Sequence, residues 1–119
     1  MTRVRLIGRG RAGLSLAAAL SDVGWTVSEV LGRHDDVSAA ARDTDALVLA
    51  TPDAAVPAVS AAVQPVPETV VVHMAGSLGL EVLVPHARRA VLHPLVPLPD
   101  PQVGASRLRG ACFAVAGDP

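Results

Sequence analysis

The chain has 119 residues, half of them apolar, with Trp25 and Phe113 as the only large aromatic residues and a formal net charge of -1. That length holds one domain with a single core, and ten arginines set against eleven acids, with no lysine, leave no basic field for nucleic acid. No apolar run approaches the ~18 residues that span a bilayer, which excludes a membrane partner by helix.

Strand-like and helix-like segments alternate. Val4 to Ile7 reads as a buried strand; Ala12 to Val23 reads as a helix that places Leu16, Leu20 and Val23 on one face and stops at Gly24. Trp25 to Leu31 is a second strand, followed by Gly32 and a short helix over Val37 to Arg42. Ala46 to Ala50 is a third strand. Thr51-Pro52-Asp53 then carries the chemistry of a helix start: a threonine cap, a proline at the first helical position and an acid suited to the dipole. That helix ends before Pro65.

Thr69 to Met74 is a fourth strand, Gly76-Ser77 a turn and cap, Leu78 to Arg89 a helix containing Pro85, Ala90 to Leu95 a fifth strand and Ala111 to Ala116 a sixth. Strand and helix in alternation predict an α/β fold, a doubly wound and mainly parallel sheet of about six strands with helices on both faces. The proline-rich stretch between strands five and six is too short for a clear crossover helix, so the direction of strand six stays open. Cys112 sits in the apolar run CFAVAG and reads as a buried structural thiol with no partner for a disulfide. With no signal-peptide apolar region at the N-terminus, the expected location is cytoplasmic.

The stretch VRLIGRGRAGLSLAAAL sets Gly8, Gly10 and Gly13 in the spacing G-x-G-x-x-G between a strand and a helix. In that context Gly8 serves the tight turn, Gly10 lets a pyrophosphate approach the backbone, and Gly13 packs helix on strand. The helix start at Arg11 and Ala12 would present N–H groups to the phosphates. The competing reading is that all three glycines serve only the turn. Of the two loop arginines, Arg11 is the stronger candidate for a phosphate contact and Arg9 the weaker.

The end of the second strand distinguishes the nicotinamide cofactors, because an acid there suits the free ribose of NAD and an arginine suits the 2′-phosphate of NADP. The ribose-facing position falls at Leu31 or Gly32, neither acidic, with Arg33 next and Glu29 about two residues early. NADP(H) is the expected cofactor, with Gly32 and Arg33 at its adenosine end.

The segments IGRGRAG, LGR, LATPDAAV, VVHMAGSLGLEVL, AVLHPLVPLPDP and LRGACFAVAGDP, in that order, resemble bacterial Rossmann-like proteins with a DUF2520 region. These are related to ketopantoate, pyrroline-5-carboxylate and prephenate redox enzymes. The resemblance implies an NADP-binding N-terminal domain followed by a helical C-terminal domain that completes the site. Residues 1–119 are therefore expected to be the dinucleotide-binding domain without that second domain, and the apolar face it would cover would favour a homo-oligomer.

Ligands of such sheets bind at the carboxyl ends of the strands, where Thr51, Pro52, Asp53, His73, Ser77, His93 and Pro94 fall. Thr51 and Pro52 would border the cofactor ribose, or simply cap the helix. His93 and His73 are the candidates for protonating a carbonyl oxygen, against a purely structural role for each, and Ser77 is either a substrate donor or an N-cap. His34 reads as solvated beside Asp35 and Asp36, and His86 as a surface residue of a helix. The four histidines show no metal-ligand spacing. Two functions follow: an NADP-dependent oxidoreductase, or its cofactor domain, acting on a small oxo acid or imine; and a non-catalytic nucleotide-binding or sensing module. A methyltransferase ranks behind both, since strand two lacks a closing acid.

Overall fold

The computed structural model describes residues 2–75, 77–94 and 113–117, with the backbone alone for 93, 94 and 113–117. Six strands form one sheet in the order β2-β1-β3-β4-β5-β6: β1 (Arg3–Ile7), β2 (Thr26–Leu31), β3 (Ala46–Leu49), β4 (Val70–His73), β5 (Arg88–Pro94) and β6 (Phe113–Gly117). The first five are parallel, and β6 runs antiparallel to β5, which answers the direction that spacing left open. Two helices, α1 (Arg11–Asp22) and α2 (Val56–Ala62), lie on opposite faces. Among the described residues no helix is long and apolar enough to cross a membrane.

Strand alternation decides which side chains each face receives. Val4, Leu6 and Val48 meet Leu16 and Ala19 of α1 on one face. Ile7, Leu47, Leu49 and Val71 point the other way, onto Val56 and Val63 of the α2 segment and onto Leu83. This is the parity expected of a sheet buried on both sides. β2 breaks it. A bulge between the pairs Val4–Val27 and Arg5–Glu29 skips Ser28, so that Val27 and Val30 share the α1 face while Leu31 joins the other core. That irregularity is why TVSEVL shows no clean alternation.

α1 ends as its glycine predicts. Gly24 has φ +93°, its N–H donates to Ser21 O, and the Trp25 N–H donates to Leu20 O, the paired bonds of a left-handed helix stop. Val23, expected on the buried face, is the capping residue and is 62% exposed. On the same side of the sheet Leu16, Leu20, Trp25, Val48, Val70, Val72 and neighbours line an apolar groove of about 470 Å³.

Three further expectations are corrected. Residues 37–42 form successive turns instead of a helix, because the Arg5 guanidinium takes the carbonyl oxygens of Ala40 (2.8 Å) and Arg42 (2.6 Å) and pins the segment against β1. The helix proposed over 78–89 is only one 3-10 turn, Leu80–Leu83. Pro85 lacks an N–H and disfavours helical backbone at the residue before it, and Val84 is accordingly extended (ψ 134°). With that helix gone, His86 turns inward: it is 3% exposed, and its Nε2–H donates to Ser60 O at 3.0 Å. The Cys112 reading lies outside the described residues.

Thr69, 1% exposed, ties this layer together by donating its hydroxyl to Ala41 O at 2.6 Å, with Thr44 O at 3.1 Å. Thr69→Val keeps the shape and leaves those carbonyls without their donor. Urea unfolding is expected to show a loss of about 1–3 kcal/mol with an unchanged m-value.

Candidate nucleotide site at the β1–α1 turn

The turn after β1 is built by two glycines that nothing larger could replace. Gly8 has φ +120°, and a Cβ there would lie 2.5 Å from Ala50 O, so the chain can pass beside the end of β3 only as glycine. Its N–H donates to Leu31 O at 2.8 Å, tying the turn to the end of β2. A Cβ on Gly13 would collide with Gly8 O, so the first turn of α1 sits directly on the strand it follows. Ala12, half-buried, lies in that same turn.

Gly10 differs. Its φ of -79° suits any residue, and a Cβ there would meet nothing within 4 Å. No protein contact explains a glycine at this position, which faces open space at the start of α1. Gly10 is also the N-cap residue, so α1 has no side-chain cap, and its first turn carries no acidic residue. The amides of Arg11, Ala12 and Gly13 are therefore at an uncapped helix start, where a partial positive charge accumulates. An anion approaching the backbone closely would fit this cradle.

Around the mouth, Thr51 follows β3 with its Oγ1 buried and without a hydrogen-bond partner. The threonine cap read from TPD is not made: Pro52 precedes a 3-10 turn at Asp53–Ala55, α2 starts at Val56 with Pro57 in its first turn, and Thr51 is left with its hydroxyl free. Pro52 itself is exposed.

At the end of β2, Glu29 is withdrawn from the ribose position by its register, since it pairs with Arg5 across the strands (Oε1 to Nε, 3.1 Å). Gly32 stands at the end of that strand and gives its N–H to Asp35 Oδ2 at 2.6 Å. Arg33 is exposed and pairs with none of the described residues, and the same holds for Arg11. Arg9 is anchored: its Nη1 donates to Val30 O at 3.2 Å, and its Cδ would lie 3.1 Å from a Cβ on Gly32. Of the two loop arginines, Arg9 is thus the one tied to the end of β2. His34 is exposed beside them, and the Asp36 carboxyl is held below the usual carboxylate range by the Ser38 backbone N–H and then by the Ser38 hydroxyl.

The carboxyl end of β4 carries His73, with Ser77 in the loop beyond it. His73 is fully buried. Its Nδ1 accepts the Ala75 N–H at 3.0 Å, so the proton is on Nε2, which donates to Gly79 O at 2.9 Å. Both nitrogens are thus hydrogen-bonded within the loop after β4, the structural role weighed against proton donation. Ser77 is exposed and donates to Asp53 Oδ2 at 3.2 Å, linking the loops after β3 and β4. The backbone of His93 is near the end of β5, and its side chain lies outside the described residues, as does Gly76. Among the described residues no trio of His, Cys, Asp or Glu gathers as a metal site.

The fold recurs in solved structures. A candidate NADP oxidoreductase from Bacteroides fragilis superposes with a TM-score of 0.77 at 18% identity, over 99% of this chain and 52% of that one. An imine reductase from Bacillus cereus gives 0.62 at 18%, over 82% and 42%. A semialdehyde dehydrogenase NAD-binding protein from Cupriavidus necator, in complex with calcium and NAD, gives 0.68 at 21%, over 98% and 52%. The fold is Rossmann-like. The chain spans about half the length of these solved chains. No family model and no curated protein sequence matches it.

The three glycines are expected to separate in stability. Gly8→Ala and Gly13→Ala force backbone apart and should each lower unfolding free energy by about 1–3 kcal/mol or more. Gly10→Ala should lower it by no more than about 1 kcal/mol, the cost of a poorer N-cap residue. Thermal denaturation of the three variants measures the difference.

Proposed function

We propose that the chain binds a nicotinamide dinucleotide with its pyrophosphate at the start of α1, that NADP(H) is the preferred form, and that the domain serves an oxidoreductase acting on a small oxo acid or imine. The observation that carries the reading is Gly10: a glycine with ordinary φ and no neighbour for its missing side chain is explained by a ligand approaching the backbone. The similarly folded NADP oxidoreductase, NAD-binding dehydrogenase and imine reductase support it, as does the resemblance to the DUF2520 region and its redox relatives.

In this reading the amides of Arg11, Ala12 and Gly13 hold the pyrophosphate, with Gly8 shaping the turn beneath it. Thr51, whose hydroxyl has no partner among the described residues, and Pro52 border the ribose. Arg33, which pairs with none of the described residues, meets the adenosine 2′-phosphate beyond Gly32. When bound, the nucleotide supplies hydride chemistry, and the protein contributes orientation and electrostatics. His73 keeps the loop of Ala75 to Gly79 in place, Ser77 and Asp53 border the substrate end, and His93 is the histidine assigned to proton transfer.

A second reading, a nucleotide-binding or sensing module, is favoured by one observation: of the histidine side chains described, His73 and His86 are buried and hydrogen-bonded and His34 is exposed in the loop after β2. The two readings share the same nucleotide site.

Equilibrium titration with NADPH and NADH tests that site. Arg33→Ala should weaken NADPH by about 1.5–3 kcal/mol, the worth of a charged hydrogen bond, and leave NADH nearly unchanged. Equal losses for both, or none for either, would remove the NADP assignment.

A further inference from the structure

The end of β2 carries an arrangement that Arg33 alone does not explain. Two side chains from different loops converge on Gly32. The Arg9 stem lies against its open face, with Cδ at 3.1 Å and Cγ at 3.9 Å from where a Cβ would be, and Asp35 Oδ2 lies 3.6 Å from the same point. Asp35 also accepts the Gly32 N–H at 2.6 Å. Arg9 and Asp35 are not an ion pair: the Arg9 guanidinium is oriented by a single bond, Nη1 to Val30 O, which leaves most of its five donors uncommitted. A guanidinium and a carboxylate thus share one glycine without forming an ion pair.

We infer that Arg9 and Asp35 are opposed specificity-determining residues for the adenosine 2′-position, Arg9 attracting a phosphate there and Asp35 resisting it. The inference rests on the nucleotide reading above and goes beyond it by assigning discrimination to a residue of the glycine loop and to an acid four residues past the strand.

The physical case has three parts. First, Gly32 is a shelf: the Arg9 stem lies over its open face, closer than a side chain there would ordinarily allow without a small shift. Secondly, the strand-end amide is one of the donors that a ribose hydroxyl or phosphate would use, and it is already held by Asp35 through a charge-assisted bond. A dianionic phosphate arriving there has to displace a carboxylate or sit beside it, and like charges at that range repel. A ribose hydroxyl meets no such penalty and gains an acceptor in Asp35. Thirdly, Arg9 presents a planar fork of donors to the same region, a geometry suited to phosphate. The balance between the two forms of cofactor is therefore set by a pair of charges that can be removed one at a time.

The variants that isolate charge from shape are Asp35→Asn, which keeps an acceptor for the Gly32 N–H, and Arg9→Met, which keeps an apolar stem over the glycine. Dissociation constants of the full chain are measured for ADP-ribose and 2′-phospho-ADP-ribose, which need no catalysis, with Arg33→Ala alongside. Arg9→Met is expected to weaken the 2′-phosphorylated ligand about tenfold or more while changing ADP-ribose less than about threefold. Asp35→Asn is expected to tighten the 2′-phosphorylated ligand about threefold or more and to weaken ADP-ribose or leave it unchanged. Equal changes for the two ligands in either variant, or an Asp35→Asn ratio equal to that of the unaltered chain, would overturn the assignment while leaving the nucleotide site standing. Failure of the unaltered chain to bind either ligand would overturn both. Near-identical thermal midpoints of the variants and the parent exclude misfolding as the cause.

Discussion

The carboxyl edge of the sheet depends on one close packing contact, the bare Cα of Gly13 pressed on the carbonyl of Gly8. It brings the start of α1 down onto the end of β1, with Ala50 of β3's exit wedged against both glycines. Because the contact is made without side chains, the amides of the first helical turn stay at the surface of the sheet's carboxyl edge instead of being lifted away from it. The loops after β2, β3 and β4 then open onto the same edge. Arg9 of the β1–α1 turn and Asp35 at one end, and Ser77 and Asp53 at the other, are placed by the strand order β2-β1-β3-β4.

The remaining interactions hold that edge in register. Two cores on opposite faces fix the sheet, one around Val4, Leu6 and Leu16 and the other around Leu47, Leu49 and Val56. Irregular segments on the second face are held by polar contacts where helices are short or missing. Arg5 reaches Glu29 and the carbonyls of Ala40 and Arg42, Thr69 binds Ala41, and His73 braces the loop after β4 through both nitrogens. Donors inserted among carbonyls that lack helical partners are what a fold with this much turn on one face requires.

Much of this was legible in the residues. The strands at Val4, Ala46 and Thr69 are short β-branched or leucine-rich runs whose parity matches their burial, and G-x-G-x-x-G between strand and helix marks the turn. Gly24 was readable as a helix stop because only glycine takes its φ easily. Other features depend on partners distant in sequence. The alanine run at 39–41 has helical propensity, yet Arg5, more than thirty residues earlier, takes the carbonyls a helix would need. The periodicity of 78–89 outweighed Pro85, although proline chemistry pointed to the break that occurs at Val84. His86 was assigned to the surface as a consequence of that helix, and its burial against Ser60 follows from the break. The anchoring of Arg9 had a partial signal in Gly32, a glycine after a strand, where a small residue marks a close approach by something else in the fold.

The central claim is that the backbone at the mouth of α1 receives a dinucleotide pyrophosphate. A crystal structure of the chain grown with NADPH tests it most directly. The account predicts pyrophosphate oxygens within hydrogen-bond distance, about 2.7–3.2 Å, of the amides following Gly10, with the adenosine directed toward Gly32. Nucleotide bound at another surface, or a saturating soak that leaves this turn without it, would contradict the account.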